Sequence, residues 1–322
     1  MIRVGINGFG RIGRCLTRHI LQDRADIDLV QINASGSPDA NIHLLKYDTV
    51  HGRWIPKNDS LKKITWTHER NIQQIEWDDV DIVLECTGAY NDGDTAYTHI
   101  DRGAKKVLIS APAINVNRTV VYGVNHNDIT ADDKIVSNAS CTTNCLAPLV
   151  KVLDGAFGIV RGQMTTIHSY TGDQGTIDKR HRDLYRARAA GSNMIPTSTG
   201  AAKALKHVYP PMEDKIKGSA IRVPTLNVSC VDLTIETREP INEEMVNRTI
   251  LNASKNGYAG IIGYEEQPLV SSDYNTTSES CIFAPDQTRV VDNKMVRMLL
   301  WYDNEWAFSC RMADVAVHMM EI

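Results

Sequence analysis

Short apolar runs alternate with helical segments over the first third of the chain. Dense apolar stretches at Arg3–Asn7, Leu29–Ile32, Asp81–Cys86 and Lys106–Ser110 predict buried strands, and Arg11–Leu21 has the pattern of a helix. This alternation is typical of parallel βαβ units. We therefore expect an α/β N-terminal domain whose ligands bind at the carboxyl ends of its strands.

The pattern changes from about residue 150 onward. Met164–His168, Gly218–Val223 and Val228–Glu236 alternate between apolar and polar positions, which is typical of an antiparallel or mixed sheet covered on one face. Tyr170–Asn193 is too polar for a core and too long for an ordinary connection, so we expect a functional role for it. The second half is thus predicted to be an α+β domain.

Composition narrows the range of partners. The chain has 322 residues, so two domains are expected, and its 42% hydrophobic content and net charge of −4 give no basic footprint for nucleic acid or an anionic membrane. The N-terminus lacks the pattern of a secretion signal and no apolar stretch approaches a membrane span, so we expect a cytoplasmic protein. Seven scattered cysteines fit reduced thiols better than a disulfide framework.

Gly8, Gly10 and Gly13 follow the first predicted strand and open the first helix. Such glycines allow a tight turn and a close approach of pyrophosphate to the backbone, which predicts a Rossmann dinucleotide-binding domain. An acidic residue that binds the ribose 2′-hydroxyl of NAD is expected about twenty residues further on, where this chain has Asn33. An amide can donate to a 2′-phosphate, so Asn33 favours NADP, although it could also accept NAD by hydrogen bonding.

Cys141 lies where a helix is expected to begin, a position that lowers the pKa of a thiol. Its thiolate could attack an aldehyde and, after loss of hydride, form a thioester that phosphate cleaves. His168, at the end of a predicted strand, is the natural base, although a histidine there is often structural. Cys141 and Cys145 lack a second pair or a histidine cluster, so no metal site is predicted.

Several longer motifs occur in an order that makes the chain resemble the phosphorylating glyceraldehyde-3-phosphate dehydrogenase family over essentially its whole length. They are Ile6–Arg14, Leu45–Gly52, Ser137–Pro148, His168–Gln174, Thr197–Ala204, Arg222–Thr225 and Trp301–Trp306. The resemblance implies reversible oxidative phosphorylation of D-glyceraldehyde 3-phosphate to 1,3-bisphosphoglycerate through a Cys141 thioester, with hydride transfer to NAD or NADP. It also implies a nucleotide domain at 1–140 completed by a C-terminal helix at 304–322, a catalytic domain at 141–303, and a homotetramer.

The same resemblance assigns roles residue by residue. Cys141 is expected to be the nucleophile and His168 the residue that activates it, while Asn304 orients the nicotinamide carboxamide. Further residues expected around the cofactor are Arg11, Ile12, Arg70, Thr87, Gly88 and Ser110. Thr171, Asp173 and Arg222 are expected to bind the phosphate of the substrate, and Ser140, Thr142, Thr199 and Gly200 to bind inorganic phosphate.

Two departures bear on the cofactor. Asn33 replaces an acidic residue usual in NAD-preferring members, and Lys179-Arg180 replace a Leu-Pro pair, so the chain resembles the NADP-preferring, gluconeogenic or photosynthetic branch. The pair could instead form a solvated basic loop. Erythrose-4-phosphate dehydrogenase is an alternative function, but its phosphate loop is usually altered and Thr197–Gly200 is intact here. A catalytically idle redox-sensing or RNA-binding relative is the alternative from another class.

Overall fold

The computed structural model describes residues 1–57 and 60–322. The strands are β1 (Ile2–Asn7), β2 (Ile27–Asn33), β3 (Tyr47–Asp48), β4 (Gly52–Arg53), β5 (Thr65–Thr67), β6 (Ile82–Glu85), β7 (Lys106–Ile109), β8 (Arg118–Thr119), β9 (Ile135–Ser137), β10 (Ile159–Ser169), β11 (Ile195–Thr197), β12 (Ile216–Val223), β13 (Ser229–Thr237), β14 (Ile262–Tyr264), β15 (Cys281–Val291) and β16 (Met295–Tyr302). The helices are α1 (Arg11–Asp23), α2 (Pro38–Lys46), α3 (Gly93–Ala96), α4 (Thr98–Asp101), α5 (Cys141–Phe157), α6 (Ala201–Val208), α7 (Glu243–Lys255) and α8 (Trp306–Glu321).

The chain divides into two compact units, one of residues 1–140 with 308–322 and one of residues 141–307. The first unit contains a seven-stranded sheet in the order β5-β2-β1-β6-β7-β9-β8, in which every neighbouring pair is parallel. The central strands are buried on both faces, as Val4, Ile6 and Val83 show. This is the predicted Rossmann-like α/β architecture, and its ligand edge is the carboxyl end of β1, β2 and β6.

The second unit is built on a seven-stranded mixed sheet in the order β11-β12-β10-β13-β16-β15-β14. β10 runs parallel to β12 and antiparallel to β13, and β16 is antiparallel to both of its neighbours. Helix α5 supplies a buried apolar face that includes Leu146, Leu149 and Leu153. The prediction of an α+β architecture with a mixed sheet is confirmed.

The predicted elements of both halves are confirmed with small shifts of their ends. The predicted helix at Arg11–Leu21 extends to Asp23, and the predicted strand at Met164–His168 is the last part of β10. Hydrophobic pattern identifies such elements well, whereas their ends depend on caps and neighbours. None of the helices in residues 1–57 and 60–322 has both the length and the apolar character that crossing a membrane requires.

Candidate active site

A cavity of about 490 Å³ lies at the ligand edge of the parallel sheet. It is bordered by the ends of β1, β2 and β6 and by the segment after β5. Its size suits a small organic ligand or one half of a dinucleotide. Of the predicted cofactor residues, the lining includes Gly8, Gly10, Asn33, Arg70 and Thr87.

The glycine-rich turn is shaped by close backbone approaches. Gly8 has φ of +96°, and a Cβ atom there would lie 2.7 Å from the backbone nitrogen of Thr87. A Cβ on Gly13 would lie 2.2 Å from the carbonyl oxygen of Gly8. Only glycine fits at these two positions. No side chain of the described chain caps the start of α1 at Gly10, so its first N–H groups are suited to an anion.

The structure corrects the role predicted for Asn33. Its side-chain N–H groups donate to Asn7 Oδ1 at 2.8 Å and to the Glu69 carbonyl oxygen at 2.9 Å. Its Oδ1 accepts from the Thr67 hydroxyl and the Glu69 backbone N–H, both at 2.9 Å. Because both amide hydrogens are used within the protein, Asn33 is not a donor for a 2′-phosphate. Its side chain holds the turn after β5 instead.

Arg11, which is predicted to lie around the cofactor, uses its guanidinium for a contact within the protein. Its guanidinium forms a bidentate ion pair with Asp48, including a bond of 3.0 Å between Nη2 and Oδ1. Burial opposes ionisation of Asp48, but the Arg11 bond and the N–H groups of His51 and Val50 outweigh it and hold the pKa of that carboxyl well below its usual range. The Arg11 guanidinium is therefore committed to the turn between β3 and β4.

The remaining predicted cofactor residues do not line the cavity. Gly88 is exposed in the turn after β6, while Ser110 follows β7 and is half-buried. Ile12 is half-buried in the first turn of α1. Lys179 and Arg180 are exposed in the second unit, in the polar segment.

Cys141 and His168 meet in the second unit. Cys141 is the first residue of α5, His168 lies at the end of β10, and their Sγ and Nε2 atoms are 3.6 Å apart. The Nδ1 atom of His168 lies 2.7 Å from the Ser169 carbonyl oxygen, which can only accept a hydrogen bond. In the tautomer that donates an Nδ1 proton to this oxygen, Nε2 is available to accept the proton of the thiol.

Burial opposes a lone charge on either member of this pair. It raises the pKa of the Cys141 thiol, although Arg222 and the bonds from Thr142 act in the opposite direction. Burial, followed by the positive charge of Arg222, lowers the pKa of His168 to about 3. Desolvation therefore opposes the lowering of the thiol pKa that is expected at a helix N-terminus. Proton transfer from sulfur to Nε2 keeps the pair neutral as a whole.

Arg222 is the cation next to this pair. Its Nη1 donates to the Ser169 carbonyl oxygen at 2.9 Å and lies 3.0 Å from His168 Nδ1. Within residues 1–57 and 60–322, no group accepts a hydrogen bond from its buried Nε. A guanidinium with an unused buried donor is suited to bind an anion, which agrees with the phosphate role predicted for Arg222.

The polar segment and the loop before α6 bring in a second cation, which sequence reasoning missed. Arg186 bonds to Asp173 at 3.0 Å and to the Thr197 hydroxyl at 3.0 Å. Thr199 Oγ1 accepts from the Ala201 backbone N–H where α6 begins. Asp173 also lies 3.2 Å from His181 Nε2, so this predicted phosphate residue is engaged by Arg186 and by a histidine ring. Charge counting could not single out Arg186, because the segment contains several arginines.

Two buried hydroxyl groups orient the Asn304 amide. Its Oδ1 accepts from the Ser169 and Ser229 hydroxyls, both at 2.9 Å. The N–H groups of the amide therefore point away from these serines. The neighbouring Asp303 accepts from the backbone N–H groups of Glu305 and Trp306 at 2.8 Å and fixes the start of α8.

Thr142 is held more tightly than a free phosphate ligand would be. Its hydroxyl lies 2.8 Å from the Tyr302 hydroxyl, which also lies 2.9 Å from that of Thr166. The Tyr302 ring packs edge-on against His168, with centroids 6.0 Å apart. The Thr142 side chain therefore serves this buried network. Ser140, Thr171 and Thr199 are half-buried, and Gly200 is exposed before α6.

Both units match known proteins of one family. The model of the glyceraldehyde 3-phosphate dehydrogenase C-terminal domain matches residues 140–304, and that of the NAD binding domain of the same family matches residues 2–93. A glyceraldehyde-3-phosphate dehydrogenase of Cereibacter sphaeroides is 52% identical over 99% of this chain and 98% of its own. One of Xanthobacter flavus is 50% identical over the same shares, and glyceraldehyde-3-phosphate dehydrogenase 2 of Bacillus subtilis is 48% identical over 99% and 96%.

Proposed function

Because the chain belongs to the glyceraldehyde-3-phosphate dehydrogenase family and is an oxidoreductase with that activity, we propose that Cys141 is its nucleophile and His168 its acid-base residue. The observation that carries this proposal is the 3.6 Å approach of Sγ to Nε2, with Nδ1 held by the Ser169 carbonyl oxygen. The reaction is the reversible oxidative phosphorylation of D-glyceraldehyde 3-phosphate to 1,3-bisphosphoglycerate.

In the first half of the reaction, the Cys141 thiol gives its proton to His168 Nε2 as sulfur attacks the aldehyde carbon. The imidazolium returns that proton to the carbonyl oxygen, which yields a hemithioacetal. His168 then takes the hydroxyl proton while hydride leaves the former aldehyde carbon. The oxidised nicotinamide, when bound, supplies the acceptor for this hydride. A thioester on Cys141 is the product of these steps.

In the second half, inorganic phosphate attacks the thioester carbon and the Cys141 thiolate leaves. The thiolate then regains a proton from the protonated His168. We propose that Arg222 binds the phosphate group of glyceraldehyde 3-phosphate and that Arg186 helps to bind inorganic phosphate. The unused Nε of Arg222 supports the first assignment, and the Arg186 bond to Thr197 beside the Thr199–Gly200 loop supports the second. Both cations also stabilise negative charge that develops on the reacting oxygens.

For the cofactor, we propose that Asn304 donates to the nicotinamide carboxamide and that the cavity of the first unit holds the adenosine end. The Oδ1 of Asn304 is already occupied by two serine hydroxyls, so its amide nitrogen is the atom left to bind a carbonyl oxygen. The N–H groups at the start of α1 would face the pyrophosphate. The cofactor is a nicotinamide dinucleotide, as the matched NAD binding domain indicates.

We further propose a preference for NADP over NAD, carried by Ala34, Ser35 and Arg70 in place of Asn33. Ala34 lines the cavity directly after β2 and bears no carboxylate that would repel a 2′-phosphate. The exposed Ser35 and Arg70 also line it and can donate to such a group. The exposed Glu69 on the same wall acts in the opposite direction. Lys179 and Arg180 remain a second proposed contact, reaching a neighbouring subunit.

The test is kcat/KM with glyceraldehyde 3-phosphate and phosphate, measured separately with NADP and NAD for the wild type, Ala34→Asp and Asn33→Asp. We expect the wild type to favour NADP and Ala34→Asp to move the ratio at least tenfold toward NAD. Asn33→Asp should weaken both cofactors, because its carboxylate would face the oxygens of Asn7 and Glu69. A wild-type preference for NAD would refute the proposal, and absence of turnover with either cofactor would make erythrose 4-phosphate the substrate to test.

We propose in addition that the protein is a cytoplasmic homotetramer. Support for assembly comes from the second sheet, where apolar side chains of Val160, Ile221 and Met295 are 43%, 37% and 44% exposed. Seven cysteines without a disulfide in the described residues suit a reducing compartment. We also propose that residues 1–140 with 304–322 form the nucleotide domain and that residues 141–303 form the catalytic domain.

A further inference from the structure

A row of polar side chains crosses the ligand edge of the parallel sheet beneath the cavity. Asn33, Asn7 and Glu85 end the neighbouring strands β2, β1 and β6, and the register pairs Asn7 with each of the other two. Their exposed fractions are 4%, 1% and 0%. Buried groups of this kind are stable only when their hydrogen bonds are made, so their partners define the site.

The bonds along this row all run toward Glu85 from its two ends. Asn33 donates to Asn7 Oδ1 at 2.8 Å, and Asn7 donates to Glu85 Oε2 at 2.6 Å. At the far end, Trp77 Nε1 donates to His99 Nδ1 at 3.0 Å, and His99 Nε2 lies 3.1 Å from Glu85 Oε2. The indole N–H is a donor only, so His99 Nδ1 must accept and its Nε2 must carry the proton. His99 therefore donates to Glu85.

Glu85 is the acceptor on which these bonds converge. Its Oε1 accepts from the backbone N–H of Thr87 at 2.7 Å and from the hydroxyl of the same residue, so four donors surround the carboxylate. Three of the four, namely the Asn7 amide, the His99 Nε2–H and the Thr87 backbone N–H, can only donate at these contacts, so the Glu85 side chain is held as their common acceptor. A buried carboxylate of this kind persists only because these donors replace the lost water.

The acceptor at Glu85 determines which way the amides of Asn7 and Asn33 face, as far as the wall of the cavity. With Asn7 turned so that its nitrogen faces Glu85, its oxygen faces Asn33, and Asn33 must in turn present its nitrogen to Asn7. The Asn33 oxygen is then left to accept from the Thr67 hydroxyl and the Glu69 N–H. The segment that follows carries Glu69 and Arg70, both of which line the cavity.

We propose that Glu85 is a positioning residue for nucleotide binding. It sets the direction of the Glu85–Asn7–Asn33 hydrogen-bond row and thereby the position of residues 67–70, of which Glu69 and Arg70 line the cavity. This inference rests on the proposed location of the adenosine end in the cavity. Glu85 itself is fully buried and acts through Asn7, Asn33 and Thr87. Its effect therefore falls on the binding of the adenosine end and leaves the Cys141–His168 pair of the second unit unchanged.

Glu85→Gln tests the role of direction with almost no change of shape. The new NH2 group must face donors, namely Asn7 and His99 on one side or Thr87 on the other. If the Asn7 amide turns so that its oxygen accepts from this NH2 group, its own NH2 group faces that of Asn33. If the Asn33 amide turns in response, its NH2 group faces the Thr67 hydroxyl and the Glu69 N–H, which donate to its oxygen in the wild type. We expect ADP-ribose to bind about tenfold more weakly, as for one or two mismatched buried hydrogen bonds, measured by isothermal titration calorimetry.

The double variant Asn7→Asp/Glu85→Gln moves the acceptor one strand along the row. The carboxylate introduced at position 7 accepts from the amide introduced at position 85 and from Asn33. The wild-type direction thus returns at Asn33, while a mismatch remains at His99 and Trp77. We expect ADP-ribose affinity to return to within about threefold of the wild type, with thermal stability still reduced.

Asp81→Asn is the matched control for Glu85→Gln, because it makes the same carboxylate-to-amide change close to the opposite end of the same strand. Asp81 lies just before β6, where it accepts from the Arg3 backbone N–H and from Lys105. It therefore tests whether any loss of a carboxylate beside this strand weakens nucleotide binding. We expect the ADP-ribose affinity of Asp81→Asn to equal that of the wild type.

The outcomes separate this inference from the proposed function. Failure of the wild type to bind ADP-ribose would refute the location of the cofactor site. Wild-type affinity in a folded Glu85→Gln variant, or equal weakening by Asp81→Asn, would refute the positioning role alone. If Glu85→Gln does not fold, Thr67→Val removes one donor at the Asn33 end, and unchanged ADP-ribose affinity there would also refute it. Steady-state kinetics should show a raised KM for the cofactor with kcat within about twofold.

Discussion

Replacement of His168 by Asn separates the acid-base role of this residue from the packing of the site. Asn retains a polar side chain of smaller size but has no titratable nitrogen 3.6 Å from the Cys141 sulfur. A thiolate and an imidazolium at that distance attract each other by about 5 kcal/mol at an effective dielectric constant near 20. Loss of a general base slows reactions by roughly two to four orders of magnitude, or about 3–5 kcal/mol in the barrier. The two magnitudes agree, so we expect kcat to fall by that factor.

The state of the thiol supplies an independent measurement. Apart from His168, burial raises the pKa of the Cys141 thiol, and Arg222 and the bonds from Thr142 lower it. We expect the rate of alkylation by iodoacetamide in His168→Asn to be low at pH 7 and to continue rising beyond about pH 9. In the wild type, the proton can pass to Nε2 and alkylation should be faster at pH 7.

The control is His207→Asn, which changes an exposed histidine on α6 and should leave both measurements unchanged. Turnover within threefold of the wild type in His168→Asn, or an identical alkylation profile, would refute the assigned role. A normal melting temperature would show that the loss is chemical, since His168 is buried and its removal could also loosen the second unit.

Three further predictions concern the nucleophile, the anions and the stability of the first unit. Cys141→Ser should abolish phosphorylating turnover, and detectable steady-state activity above background would contradict the thioester. Arg222→Gln should raise the KM of glyceraldehyde 3-phosphate at least tenfold and Arg186→Gln that of inorganic phosphate, which separate titrations of the two substrates will show. Asp48→Asn should lower the free energy of unfolding by about 2 kcal/mol at pH 7. Because the folded pKa of Asp48 is depressed, this difference should shrink as the pH falls from about 4 toward 2, and a constant difference in urea unfolding would contradict the ion pair with Arg11.

Much of the fold follows from the order of apolar and polar residues. The alternation of strands and helices in the first third leads to a parallel sheet, and the glycines at positions 8 and 13 are required by backbone approaches that the tight turn imposes. The position of Cys141 at the start of α5 also follows from the local pattern. These are local properties, and neighbouring residues determine them.

The sequence alone identified residue types with the right chemistry, but their partners were decided by the tertiary structure. The amide of Asn33 has hydrogens that could be donated to a phosphate. The register of β1 and β2 places Asn33 beside Asn7, however, and both amide hydrogens are donated within the protein. Arg186 had no distinguishing pattern, yet folding of the polar segment brings it to Asp173 and Thr197. The physical reason is that a hydrogen-bonding group serves whichever partner the packing brings within about 3 Å, and sequence spacing does not specify that partner.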